Sequence, residues 1–342
     1  MKSVSIKDIA REAGVSTTTV SFVLNGKAEE KRISPDLKNK ILKLAQSLNY
    51  KPNQLARGLR TGSTQTVALI VEDISNIFFA NISKVIEDEL DRFGYRLMYC
   101  STENNDKKAV AIMEMLLQRQ IDGFIITPTI GIRKILEQLA ANQAAMVLID
   151  RYFPDLPISY VAVDNYAGAF QSVAFMINQG YSNIGIVTIE YEQVQMERRY
   201  QGYEDALRAH DIPIKPNLIQ KIPFGLAATD AVEAISNFVS REPAMNAIFF
   251  TTNYLGTYGI ESLKLLRKNI PSDMAVISFD DSDLFRLNSP SITVVRQPFE
   301  EIGHNAVRII LDQLLGKSRE LRQVILKPSL IVRESVKQPV PG

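Results

Sequence analysis

Where short apolar runs give way to polar sequence, this 342-residue chain repeatedly places carboxylates, amides, an arginine and aromatic rings. The run 67–71 leads to Asp73, Asn76, Phe78 and Phe79, and 146–149 leads to Asp150 and Arg151. Later runs lead to Asp164, Asn253 and the pair Asp280 and Asp281. Such a set suits a polyol, whose hydroxyls need in-plane acceptors and donors while its C–H faces pack on rings. A lone strand-end Asp is an ordinary turn former or helix cap, so the grouping carries the reading. Catalytic chemistry finds no comparable set. His210 and His304 are the only histidines and Cys100 the only cysteine. With no Cys/His ligand spacing and no glycine-rich phosphate motif, no enzyme, metal site or cofactor is expected.

Two kinds of element must position these residues. Near the N-terminus, Ser5 can cap a helix with Asp8 completing a capping box and Ile6, Ile9, Ala10 and Ala13 on its inner face. Gly14 permits the sharp turn that ends it, and Val15 can tuck between helices. Ser16 caps a second helix with Val20, Val23 and Leu24 inside, leaving Thr17, Thr18, Ser21 and Phe22 outward until Asn25 and Gly26 stop it. Ser34, Pro35 and Asp36 open a third, whose inner face is Leu37, Ile41, Leu44, Ala45 and Leu48. This is a helix-turn-helix, a shape that fits a helix end into the major groove of DNA.

Charge divides the chain at the same place. Residues 1–65 hold 12 Lys and Arg against 5 Asp and Glu, although the whole chain carries only +1. The basic surplus therefore belongs to the helical head, where phosphate contacts would be made. Residues 49–62 read either as a short helix, conditional because Gly58 interrupts it, or as a plain tether.

From Thr66 onward, apolar runs alternate with helix-like stretches. The runs are 67–71, 96–100, 123–126 and 146–149, then 184–188, 218–222, 247–250 and 275–279. Strand and helix alternation predicts parallel sheets covered on both faces, here as two doubly wound subdomains. Further strands are expected at 291–295 and 327–332. Ligands bind such sheets at the carboxyl ends of the strands, so two facing sets of ends define a cleft. With a single cysteine and no apolar export signal at its start, the chain reads as a soluble cytoplasmic protein.

The motifs 6–16, Thr19-Val-Ser, Val23-Leu-Asn-Gly, Tyr50-Lys-Pro-Asn, Leu55-Ala-Arg and Leu59-Arg-Thr-Gly resemble the lactose/galactose repressor family of bacterial transcription regulators. The likeness continues through Asp73-Ile-Ser-Asn, Ile149-Asp-Arg, Val163-Asp-Asn, Ser278-Phe-Asp-Asp and Thr293-Val-Val-Arg-Gln-Pro. The resemblance implies a homodimer on a pseudo-palindromic operator, with a periplasmic-binding-protein-like core sensing a small molecule, a sugar or sugar derivative in the first place. A nucleobase-responsive regulator of the same fold is one alternative, and a solute receptor that does not bind DNA is another. It further implies base reading by Thr17 and Thr18, phosphate contacts from Ser16, Thr19, Ser21 and Asn25, and DNA contacts from Tyr50, Asn53, Ala56 and the wedge residue Leu59. Phe22 stands where many members carry arginine, and it offers apolar contact only. The implied effector set is Asp73, Phe78, Phe79, Asp150, Arg151, Arg199, Asn253 and Asp280; Tyr254 stands where Asp is usual. The domains expected are a helix-turn-helix at 1–50, a hinge at 51–64, a core at 65–335 and a flexible tail at 336–342. Within the core, one subdomain takes 65–163 and 293–320 and the other 164–292 and 321–335.

Overall fold

A computed structural model describes residues 4–50, 63–190 and 193–337. The chain divides after Thr64 into two compact units. In the first, α1 (Ile6–Ala13), α2 (Thr17–Leu24) and α3 (Pro35–Ser47) enclose Ile9, Ala13, Val20, Val23 and Ile41. The Asp8 carboxylate accepts the Ser5 N–H at 3.0 Å, and Gly14 takes the left-handed conformation at φ 73°. Lys40 of α3 donates to the Ala13 carbonyl at 3.0 Å, satisfying an orphan acceptor at the end of α1. Residues 51–62 of the expected hinge, with Asn53, Ala56 and Leu59, lie outside the described residues.

The second unit opens with β1 (Thr66–Val71), α4 (Ile77–Arg92), β2 (Arg96–Ser101), α5 (Asp106–Gln118), β3 (Gly123–Ile126), α6 (Arg133–Ala141), β4 (Ala145–Ile149) and β5 (Tyr160–Val163). It continues through α7 (Asn165–Asn178), β6 (Ile184–Glu190), α8 (Val194–Ala209), β7 (Ile219–Pro223), α9 (Ala228–Arg241) and β8 (Ala247–Phe250). After these come α10 (Asn253–Leu265), β9 (Ala275–Phe279), α11 (Asp283–Leu287), β10 (Thr293–Arg296), α12 (Phe299–Leu314), β11 (Gln323–Leu326) and β12 (Ser329–Ile331).

Two sheets result, ordered β11-β5-β4-β3-β1-β2 and β12-β10-β9-β8-β6-β7. Every pairing is parallel except β10 with β12. The first five strands of each lobe repeat one doubly wound order, with its reversal between β1 and β3 and again between β6 and β8. Both faces of each sheet are packed, which explains why the strands read as continuous apolar runs rather than alternating ones.

The expected subdomain boundaries need correction at the C-terminal crossings. Thr293–Arg296 pairs with β9 and belongs to the second lobe, whereas Gln323–Leu326 pairs with β5 and belongs to the first. The first lobe is therefore residues 65–163 and 299–326, the second 164–296 and 329–336. Nor does a loose tail begin at 336, because Val336 is buried in the second lobe's core. Among the described residues, no helix is long and apolar enough to cross a membrane.

Candidate functional site

Within the first unit, Ser16 caps α2 by accepting the Thr19 N–H at 3.1 Å, and the two hydroxyls lie 2.9 Å apart. Thr17 and Thr18 follow at the first exposed positions of the helix. Asn25 ties off the other end, its amide donating to the Ser21 carbonyl at 2.7 Å. Two of the expected outward residues are only partly so. Ser21 and Phe22 are half-buried, and the Lys31 ammonium sits 5.6 Å from the Phe22 ring centroid. Tyr50, assigned to DNA contact, packs half-buried against the three-helix core.

In the second unit, the carboxyl ends of the two sheets face each other across a small cavity of about 30 Å³. Asp150 follows β4 and Asp280 follows β9, equivalent places in the two lobes. Both take left-handed backbone conformations, at φ 65° and 68°, which Asn and Asp adopt more readily than most other non-glycine residues. Arg199, from the second turn of α8, lies between them and is 1% exposed. Its Nε donates to Asn165 Oδ1 at 2.7 Å and its Nη1 to the Thr251 carbonyl at 2.6 Å, while its guanidinium covers the Phe279 ring at 3.6 Å. Gln297 donates to Asp280 at 2.5 Å. The lobes touch directly where Asn253, opening α10, donates to Asn76, the cap of α4, at 3.0 Å.

Phe78 and Phe79 line the cavity with rings set edge to face, their centroids 5.1 Å apart. Arg151 lines it too, but is held by a buried ion pair to Glu72 and by Asn104. Asp73 is turned away: its carboxylate accepts the Ser75 N–H and hydroxyl, both at 2.8 Å, and it borders a neighbouring groove of about 410 Å³. Sequence reasoning passed over Glu72, Asn165, Gln193, Gln195, Thr251 and Gln297. Glu72 and Thr251 carried a legible signal as the first polar residues after β1 and β8, and Asn165 and Gln297 lie within the motifs quoted above.

Burial raises both aspartates. For Asp150 loss of water is the main cause, with Asp280 adding to it and Arg199 opposing, and its carboxyl is pushed up to about 7. For Asp280 loss of water again dominates, countered by Arg199 and the Gln297 hydrogen bond. A carboxyl raised in the folded state binds a proton that the unfolded chain has already released. Stability from Asp150 is thus full below the ordinary carboxylate range and is lost as pH rises towards 7. Asp150→Asn should flatten this fall, which urea unfolding of both proteins between about pH 4 and pH 8 will measure. A parallel fall in the two proteins would refute the assignment.

A helical head of this geometry joined to two facing doubly wound lobes defines a class, DNA-binding regulators with a ligand-sensing core. Residues 5–53 match the model for bacterial regulatory proteins of the lacI family, and residues 173–336 match the periplasmic binding protein-like domain. The HTH-type transcriptional regulator DegA of Bacillus subtilis (strain 168) is 30% identical over 97% of each chain. The chain belongs to the lacI family. Among solved structures, the transcriptional regulator CelR bound to cellobiose is 25% identical, with a TM-score of 0.72 over 97% of this chain and 99% of that one. The lac repressor dimer bound to operator shares the fold at 18% identity, with a TM-score of 0.83 over 98% and 99%.

Proposed function

We propose that this regulator binds a pseudo-palindromic operator as a homodimer and that a sugar or sugar derivative in the cleft sets its affinity for DNA. The observation that carries the reading is the convergence of Asp150 and Asp280, from opposite lobes, on Arg199 beside Phe78 and Phe79. In-plane carboxylates, amides and a guanidinium beside rings are what a sugar's hydroxyls and C–H faces require. A cavity of about 30 Å³ admits no more than a few waters, so a hexose enters only as the lobes part. Ligand therefore acts through the angle between lobes, which gives coupling to DNA of about 1 to 3 kcal/mol.

A nucleobase is the weaker reading here. Phe279 is covered by Arg199, and Phe78 and Phe79 are inclined at 62°, so these rings form no parallel slot for a flat base. No catalytic role is assigned to any residue, and the reading places the protein in the cytoplasm with its DNA.

At the DNA end, Thr17 and Thr18 read bases while Ser16, Thr19, Ser21 and Asn25 hold phosphates. Phe22 serves apolar contact with a base edge. The test is selection of duplexes from a random pool by the full-length protein, followed by titration of the enriched sequence. Thr17→Ala and Thr18→Ala should each weaken the enriched duplex by about 1 to 3 kcal/mol while leaving random duplex unaffected. Binding to random duplex should fall steeply with salt. A selection that enriches nothing refutes the proposal.

A further inference from the structure

The loop between α2 and α3 carries five charged residues in the six positions 27–32, yet its path is tied down at several points. Ala28 is buried in the core of the helical head. The Lys27 N–H donates to the Phe22 carbonyl at 2.9 Å, the Lys31 N–H to the Lys27 carbonyl at 3.1 Å and the Ile33 N–H to the Ala28 carbonyl at 2.8 Å. Arg32 turns the chain back in the left-handed conformation, at φ 53°. These bonds fix where Lys31 leaves the backbone. Its ammonium stands 5.6 Å from the Phe22 ring centroid, within the range at which an aromatic face attracts a cation.

Phe22 follows Thr18 by one helical turn, and residues four apart share a face of a helix. A cation carried on that ring is therefore delivered to the stripe that Thr17 and Thr18 open. The acids of the loop do not cancel it there. Glu29 pairs with Lys38 of α3 at 3.5 Å, whereas Glu30 holds the Lys31 ammonium at 3.0 Å. With side chains 59% and 43% exposed, the second pair is weak and gives way to a better acceptor.

The chemistry of the ammonium names that acceptor. It has three donors and no acceptor. In the major groove guanine offers O6 and N7, two acceptors with no donor or methyl group beside them. Adenine sets an amino group next to N7, thymine a methyl group next to O4, and cytosine presents a donor.

We propose that Lys31, seated on the Phe22 ring, is a base-reading residue that selects guanine at one position of each operator half-site, with Phe22 as its positioning residue. The inference rests on the operator reading above and goes beyond it, because that reading gives no base to this loop. Glu30 holds the ammonium in the free protein and yields it to DNA. A cation occupies only one face of a ring, so Phe22 keeps its apolar contact as well.

The experiment is selection of duplexes from a random pool by the full-length protein and by Lys31→Met, followed by titration of the enriched sequences with each guanine replaced in turn. Methionine keeps an unbranched stem and loses the charge. One guanine per half-site should be worth about tenfold or more in affinity to the parent and nothing to Lys31→Met. Preferences set by Thr17 and Thr18 should persist in the variant, which also shows that the head is folded. Phe22→Leu should lose the same guanine preference and Phe22→Tyr should keep it. Lys31→Met combined with Phe22→Leu should lose no more at that position than either change alone. If Lys31→Met weakens all duplexes alike and flattens the salt dependence, the contact is to phosphate and the proposal is overturned. A guanine preference unchanged in Lys31→Met or in Phe22→Leu overturns it too, and leaves the operator reading standing. A selection that enriches nothing removes the operator reading itself and this inference with it.

Discussion

Arg199→Ala is expected to destabilise the ligand-binding unit by about 3 to 5 kcal/mol at neutral pH and to abolish any response to ligand. The guanidinium is 1% exposed and is the cation that both buried aspartates face. Its removal strands Asp280, leaves Asp150 only Arg151 as a counter-charge, leaves Asn165 Oδ1 and the Thr251 carbonyl without their donor, and opens a void over Phe279. Acid should relieve part of the damage, because protonated Asp150 and Asp280 no longer need a counter-charge. Urea unfolding at neutral pH and near pH 5 measures both effects, and Arg199→Lys should recover part of the stability by restoring charge without the planar fork. A loss below about 1 kcal/mol would mean that water, not the arginine, satisfies these groups.

Gly202→Ala should cost about 1 to 3 kcal/mol, towards the upper limit, and weaken ligand binding with it. A Cβ at this position would lie 2.5 Å from the Tyr166 carbonyl oxygen and 2.9 Å from the Phe170 nitrogen, both backbone atoms of α7. Backbone within a helix cannot yield as a side-chain tip can, so α8 must move away from α7. Arg199 sits three residues earlier on α8, and its partner Asn165 begins α7. Separation of the helices therefore lengthens the hydrogen bond that aims the guanidinium. Unfolding midpoints test the packing cost, and the ligand affinity of the folded variant tests the link to Arg199. A variant as stable as the parent would show that the helices part without strain.

Much of this architecture was legible because each element carries its own local signal. The three helices of the head announce themselves through Ser5, Gly14, Ser16 and Pro35, and the buried strands through apolar runs such as 67–71 and 275–279. Two short strands defeated the reading, the first at a sheet edge and the second flanked on both sides. Gln323–Leu326 and Thr293–Arg296 are four residues each, and nothing local states which sheet they join. Their partners are set by where the chain crosses between lobes, a tertiary fact.

At the cleft, sequence found the residues that end strands and missed those that hold them. Asp150 and Asp280 follow apolar runs directly and Asn253 comes three residues after one, so position marks them. Asn165, Thr251 and Gln297 stand at strand ends or in the quoted motifs too, but each acts by bonding another residue of the site, Thr251 through its backbone carbonyl, and that pairing is a tertiary fact no local pattern states. Asp73 shows the opposite error. Its strand-end position resembles that of Asp150, but Ser75 two residues later turns its carboxylate into a local loop brace.

The chain passes between the lobes near residues 164, 297 and 327, and Gln297 stands on the middle passage with its amide clasping Asp280. On the proposed reading of Asp280, sensor and joint share one short peptide. Anything that displaces Asp280 tugs on a strut spanning the two halves, so occupancy is converted to leverage at the pivot itself, with no relay through either core.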